Sequence, residues 1–159
     1  MSASRLALLL LLLPIIAFAT NATQISSSSQ LMNGYYANGE IGDYLIENQN
    51  IAVIISDLGH TVHYADTGGN IIDAGITNSR NDEVEELYLY LDDDWPRQAH
   101  YSNIEIVNNV DHSIITASGV DSDNSSIDIV TDYILFDDDE YLSITTTLTN
   151  NGSSVSNYE

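Results

Sequence analysis

The side chains in this sequence with chemistry to offer are four histidines and a large excess of carboxylates. His60 and His63 lie three residues apart, with Asp57 and Asp66 close on either side. On paper these four supply a metal set. On a regular strand, however, side chains alternate between faces, so positions i and i+3 point opposite ways. Only a turn at Gly59-His60-Thr61 brings the two imidazoles together. The expectation is therefore ordinary polar strand and turn residues. His100 and His112 have no partner pattern, cysteine is absent, and no nucleophile motif is present.

The acidic loops offer a second chemistry. Asp121-Ser122-Asp123-Asn124-Ser125 opens like an oxygen-rich Ca²⁺ loop, with Asp132 at its twelfth position. An EF-hand also needs Gly at the sixth position, where Ser126 stands, and a helix where Asp132 falls in an alternating strand pattern. A true EF-hand is rejected. Asp121, Asp123 and Ser125 are left as candidate ligands of a looser Ca²⁺ site, against a simple solvated loop. Asp92-Asp93-Asp94 and Asp137-Asp138-Asp139-Glu140 are the densest acidic clusters, and both read as solvated turns. Glycoside hydrolysis needs two carboxylates at a defined separation, and among 24 acids no pair stands out.

The third chemistry is aromatic. Tyr and Trp join a flat apolar face to a polar tip, which suits them to stack on sugars. Tyr88, Tyr90, Trp95 and Tyr101 are the candidate polysaccharide contacts, with Tyr35 and Tyr36 in an outlying pair. The competing reading is Tyr at half-exposed sheet positions, where it merely replaces Phe.

Composition sets the surroundings in which any of this operates. There are 24 acids against 3 arginines, and lysine is absent. Such a charge excludes sequence-independent binding to nucleic acid or anionic lipid. Self-repulsion weakens a compact state in dilute buffer, and molar salt screens it by shortening the Debye length to about 3 Å. The composition predicts a protein adapted to salt. At the start, Arg5 precedes an apolar run from Leu6 to Phe18, and Ala17-Phe18-Ala19 fits the small-x-small rule of leader cleavage. The run is shorter than the ~20 residues that span a bilayer. Residues 1–19 are therefore predicted to be a signal peptide, with the mature chain beginning at Thr20. The product is secreted or periplasmic, with no membrane contact after cleavage. Residues 20–38, with Ser26 to Ser29 in a row, read as a flexible leader.

The elements that must position these side chains are strands. Ile51 to Ile55 is an unbroken apolar run, as in a strand covered on both faces. Thr61 to Tyr64, Ile71-Ile72, Val84 to Leu91, Ile104 to Val107 and His112 to Ala117 follow between turns. In Ile127 to Phe136 apolar and polar residues alternate. Tyr141 to Thr149 sets Leu142, Ile144, Thr146 and Leu148 on one face, completing a hairpin with a wet side. A short helical turn near Asn81 to Leu87 is the one helical alternative.

Two stretches carry a resemblance. The first runs from Gly42-Asp43-Tyr44-Leu45-Ile46-Glu47-Asn48 through Ile51-Ala52-Val53-Ile54-Ile55-Ser56 to Gly68-Gly69-Asn70-Ile71-Ile72-Asp73-Ala74. The second is Thr131-Asp132-Tyr133-Ile134-Leu135 followed by Leu142 to Asn150. Together they resemble the N-terminal β-supersandwich, galactose-mutarotase-like domain of large secreted bacterial proteins. In such proteins it precedes a PHP-type metallohydrolase or carbohydrate-active domain. The resemblance covers roughly Gly39 to Asn151 and implies an all-β, antiparallel sandwich of residues 39–151, incomplete in this chain. Residues 152–159 are then a polar tail or a truncation point. The family's metallohydrolase His-x-His motif is missing, and no catalytic residue carries over. The expected function is a non-catalytic extracellular module that contacts polysaccharide or a downstream domain of the same polypeptide. One alternative is the N-terminal fragment of a secreted carbohydrate-active enzyme or metallohydrolase whose catalytic residues lie downstream. The other is a Ca²⁺-stabilised surface or matrix protein.

Overall fold

The computed structural model describes residues 19–92, 96–156 and Tyr158. The signal-peptide expectation for Met1 to Phe18, and Asp93, Asp94 and Trp95 of the aromatic and acidic readings, lie outside the described residues. The chain is all-β. One sheet holds β1 (Asn21–Gln24), β2 (Tyr44–Glu47), β3 (Ile51–Ile55) and β4 (Ile71–Ile76) in that order. The other holds β5 (Ala99–Asn108), β6 (His112–Asp121), β7 (Ile127–Phe136) and β8 (Ser143–Asn150). Every neighbouring pair is antiparallel. Among the described residues the only helix is a turn of 3-10 type, Ser28–Gln30, and no helix is long and apolar enough to cross a membrane.

The two sheets face each other across one core. Ile46, Val53, Ile55 and Ile71 of the first sheet meet Ile115, Ala117, Ile127, Ile129, Tyr133 and Leu135 of the second. Each fully buried Ile or Leu contributes about 1.5–3 kcal/mol. Alternation on β7 places Ile127, Ile129, Thr131, Tyr133 and Leu135 inside. The first sheet is buried on its other face too. Ile25, Met32, Leu45, Ala52, Ile54, Val62 and Ile72 form a second cluster beneath the loops that cover it. That double cover explains the unbroken apolar run of β3.

Tertiary contacts override local pattern in four places. Residues 20–38, expected as a flexible leader, are built into the fold: β1 pairs with β2, Ile25 is buried, and Ser27 and Gln30 form a reciprocal capping box on the 3-10 turn. Thr61 to Tyr64 is a turn rather than a strand. His63 has a positive φ of 45°, and the backbone N–H groups of Tyr64 and Ala65 donate to the Glu86 carboxylate. Among the described residues Val84 to Leu91 forms only single bridges, Leu87 to Ile71 and Tyr90 to Gln98, because its backbone bonds are divided between different partners. The helical alternative at Asn81 to Leu87 fails for the same reason, with Leu87 exchanging both backbone bonds with Ile71.

Gly69 links the layers. Its φ is +89°, and a Cβ there would lie 2.8 Å from the Tyr101 ring, so only glycine serves. Its carbonyl accepts the buried Tyr133 hydroxyl at 2.8 Å. Tyr133→Phe is expected to leave that carbonyl unsatisfied and cost about 1–2 kcal/mol, read as a lowered urea midpoint with an unchanged slope.

Candidate functional site

Asp43 is a heavily used carboxylate. It is buried at the start of β2 and accepts backbone N–H groups from Glu40 (2.6 Å) and Asp57 (2.7 Å). His60 Nδ1 sits 2.9 Å from its Oδ2. A carboxylate that orients an imidazole is half of a general-base device. Among the described residues, Asp43 is the sole hydrogen-bond partner of the His60 ring, whose backbone N–H donates to the Asp57 carbonyl. The dyad pins the loop after β3 against the loop before β2. Sequence reading weighed His60 with His63, set that pairing aside, and missed Asp43, which the β2–β3 pairing brings near. His63 turns away to Glu85 at 3.2 Å.

Asp73 on β4 is buried and accepts the N–H groups of Asn38 (2.7 Å) and Gly39 (2.9 Å). Burial raises its carboxyl pKa, the two N–H bonds oppose this, and Asp82 and Asp43 add repulsion, leaving it at about 6. The sign follows from linkage. An acid of ordinary pKa ~4 when unfolded and about 6 when folded holds its proton more tightly in the native state. Its contribution to stability therefore falls as pH rises from ~4 to ~6 and is flat above. The melting-midpoint advantage of the parent over Asp73→Asn is expected to shrink across that window, measured at fixed ionic strength.

The loop after β6 does not gather Asp121, Asp123 and Ser125 into a cation site. The Asp121 side chain is fully enclosed and committed to Arg97, the Tyr158 hydroxyl (2.7 Å) and the Asp123 backbone N–H (2.9 Å). Asp123 and Ser125 remain exposed. Burial pushes the Asp121 carboxyl up, but hydrogen bonds from Arg97 and Tyr158 outweigh it and hold the pKa below the usual range. Arg97 also binds Asp92 at 2.8 Å. No signal in the sequence marks Arg97 as the cation seated there, since the pairing joins residues 24 apart. Among the described residues no group of three or more His, Asp or Glu is placed to hold a metal.

The aromatic candidates separate. Tyr101 is only 3% exposed, its ring lies over Gly69 and its hydroxyl is 2.6 Å from Thr131 Oγ1, so it cannot present a face to a sugar. The reason is register: β5 turns Tyr101 inward beside Ala99. Tyr88 is half-buried and Tyr90 is exposed, each on the irregular segment before β5.

The feature with no counterpart in the sequence reading is an apolar cleft of about 440 Å³ between β3–β4 and the start of β8. Ile76, Val84, Leu87, Tyr141, Leu142 and Ile144 are among the side chains that line it. Antiparallel partners share a face, so Ile144 and Leu148, opposite Tyr133 and Ile129, belong to the inner face of their sheet. Yet Ile144 is 44% and Leu148 39% exposed, while their β7 partners are buried. The first sheet does not reach over β8. β8 is also the last strand of its sheet, so among the described residues one side of its backbone has no strand partner.

The fold and this flank define an antiparallel β-sandwich with one open side. Comparison with family models, curated proteins and solved structures gives no match to this chain.

Proposed function

We propose that this chain is a non-catalytic β-sandwich module of an exported, salt-adapted protein, and that its open flank seats a β-strand of a partner domain in the same polypeptide. The apolar cleft between β4 and β8 carries this reading. Strand addition at an open edge satisfies backbone groups while alternate side chains fill pockets, and uncovered inner-face Ile144 and Leu148 supply those pockets. The resemblance to larger supersandwich domains points the same way. The non-catalytic part rests on how the buried acids are employed: Asp43, Asp73 and Asp121 are each committed to backbone N–H groups, His60 or Arg97. Export is supported by the residues 1–19 pattern and salt adaptation by the acid excess.

Hydrogen exchange tests the docking. The chain is compared alone and within the polypeptide translated from its complete reading frame. The outward amides of β8 are expected to exchange rapidly in the first and slowly in the second, and Ile144→Asp is expected to remove that protection. Equal exchange in both, or a frame that closes at Glu159 in a monomeric protein, overturns the reading.

A further inference from the structure

Beyond the leader, this chain has two cationic side chains that do not depend on a histidine proton, and each is spent on a carboxylate distant in sequence. Arg80 pairs with Glu47, and Arg97 with Asp121 and Asp92. A further donor facing a carboxylate is a backbone group at the start of the fold. The backbone nitrogen of Thr20 donates to Asp137 Oδ1 at 2.8 Å, joining the start of β1 to the turn after β7. Thr20 is 7% exposed, whereas Ala19 before it is exposed. The peptide bond between them falls where the chain enters the protein.

The same end of the sandwich is closed by other bonds between the sheets. Ala22 and Asn108 exchange two hydrogen bonds, 2.8 and 3.0 Å, and Asn48 Nδ2 donates to the carbonyls of Phe136 and Asp139. Thr20 Oγ1 is buried with no hydrogen-bond partner among the described residues. The Thr20–Asp137 contact is thus part-buried, with the Thr20 side enclosed and Asp137 half-exposed, so salt screens it less than a fully exposed pair.

We propose that leader removal after Ala19 turns this contact into an ion pair, so that processing itself supplies the mature fold with a third fixed cation clasped by Asp137. Hydrolysis of the Ala19–Thr20 bond places the water oxygen on the Ala19 carbonyl carbon and a proton on the Thr20 nitrogen. That amine takes up a second proton from solvent at neutral pH. A hydrogen bond with both partners charged is about twice as strong as a neutral one, and Asp137 is already in position to accept it. The proposal rests on the export reading, and its test separates the two.

The experiment compares the chain beginning at Thr20 with a free and with an acetylated amine, each with Asp137 intact and as Asp137→Asn, by thermal melting in constant molar NaCl. Asn keeps the Oδ1 acceptor, so the variant retains the neutral bond. Acetylation is expected to lower the midpoint by about 3 °C in the parent and by less than about 1 °C in Asp137→Asn. Equal midpoints for free and acetylated parent, or an equal loss in both backgrounds, overturn the ion pair. The mass of the exported protein tests the cleavage point independently. A chain that begins elsewhere overturns the processing origin whatever the melts show.

Discussion

Replacing Arg97 with Met is expected to destabilise the protein by about 3–5 kcal/mol, because it leaves a fully enclosed carboxylate without its cation. Arg97 donates from Nε to both oxygens of Asp121 at 3.1 Å and from Nη2 to Oδ2. Its guanidinium also stands over the Tyr158 ring, 4.8 Å from the centroid. Met conserves much of the stem volume but none of this. Asp121 must then stay charged and unpaired or take up a proton. The Asp121 pKa is depressed in the folded state. Its stabilisation is therefore present above the unfolded carboxylate pKa of ~4 and lost as pH falls through the lower folded value. The gap between parent and Arg97→Met, measured by chemical denaturation, should be widest near neutrality and close in strong acid. Adding Asp121→Leu to the variant should recover part of the loss, since an apolar pair replaces a buried ion pair at little cost. A single variant as stable as the parent at neutral pH would show that Asp121 reaches water.

Raising NaCl from about 0.1 M to about 2 M is expected to lift the melting midpoint by on the order of 10 °C at neutral pH. The driving term is the release of repulsion among 24 acids opposed by so few cations. Between these salts the Debye length falls from about 10 Å to below 3 Å, and exposed carboxylates cease to sense one another. The enclosed Arg97–Asp121 pair is largely shielded from that screening, so the gain is not offset there. EGTA at constant NaCl is expected to leave the midpoint in place, because the enclosed Asp121 carboxylate is already committed to Arg97 and Tyr158, while Asp123 and Ser125 stay exposed. A midpoint that does not respond to NaCl, or one that falls with EGTA, would refute the screening account in favour of bound cations.

Length, charge and alternation in the sequence determined the class of fold and much of its second sheet. β3 and β7 fall on the residues where the pattern placed them, Ile51–Ile55 and Ile127–Phe136, and the inner face of β7 follows its alternation. These elements were legible because period-2 burial is a local property of the chain. The pattern failed at Thr61 to Tyr64 and Val84 to Leu91, where Glu86, Ile71 and Gln98 claim the backbone bonds from far along the chain. It failed again at residues 20–38, whose polar composition conceals a strand held by pairing to β2. Among the candidate site residues, types alone put Tyr101 at a sugar and Asp121 on a cation from solution. The fold put Tyr101 inside and gave Asp121 to Arg97. Which acid meets which cation, and which apolar face goes uncovered, are set by how two sheets of unequal extent overlap. No property of neighbouring residues carries that information. The chain supplied the faces, and the tertiary structure decided what lies against them, leaving Ile144 and Leu148 beyond the edge of the first sheet.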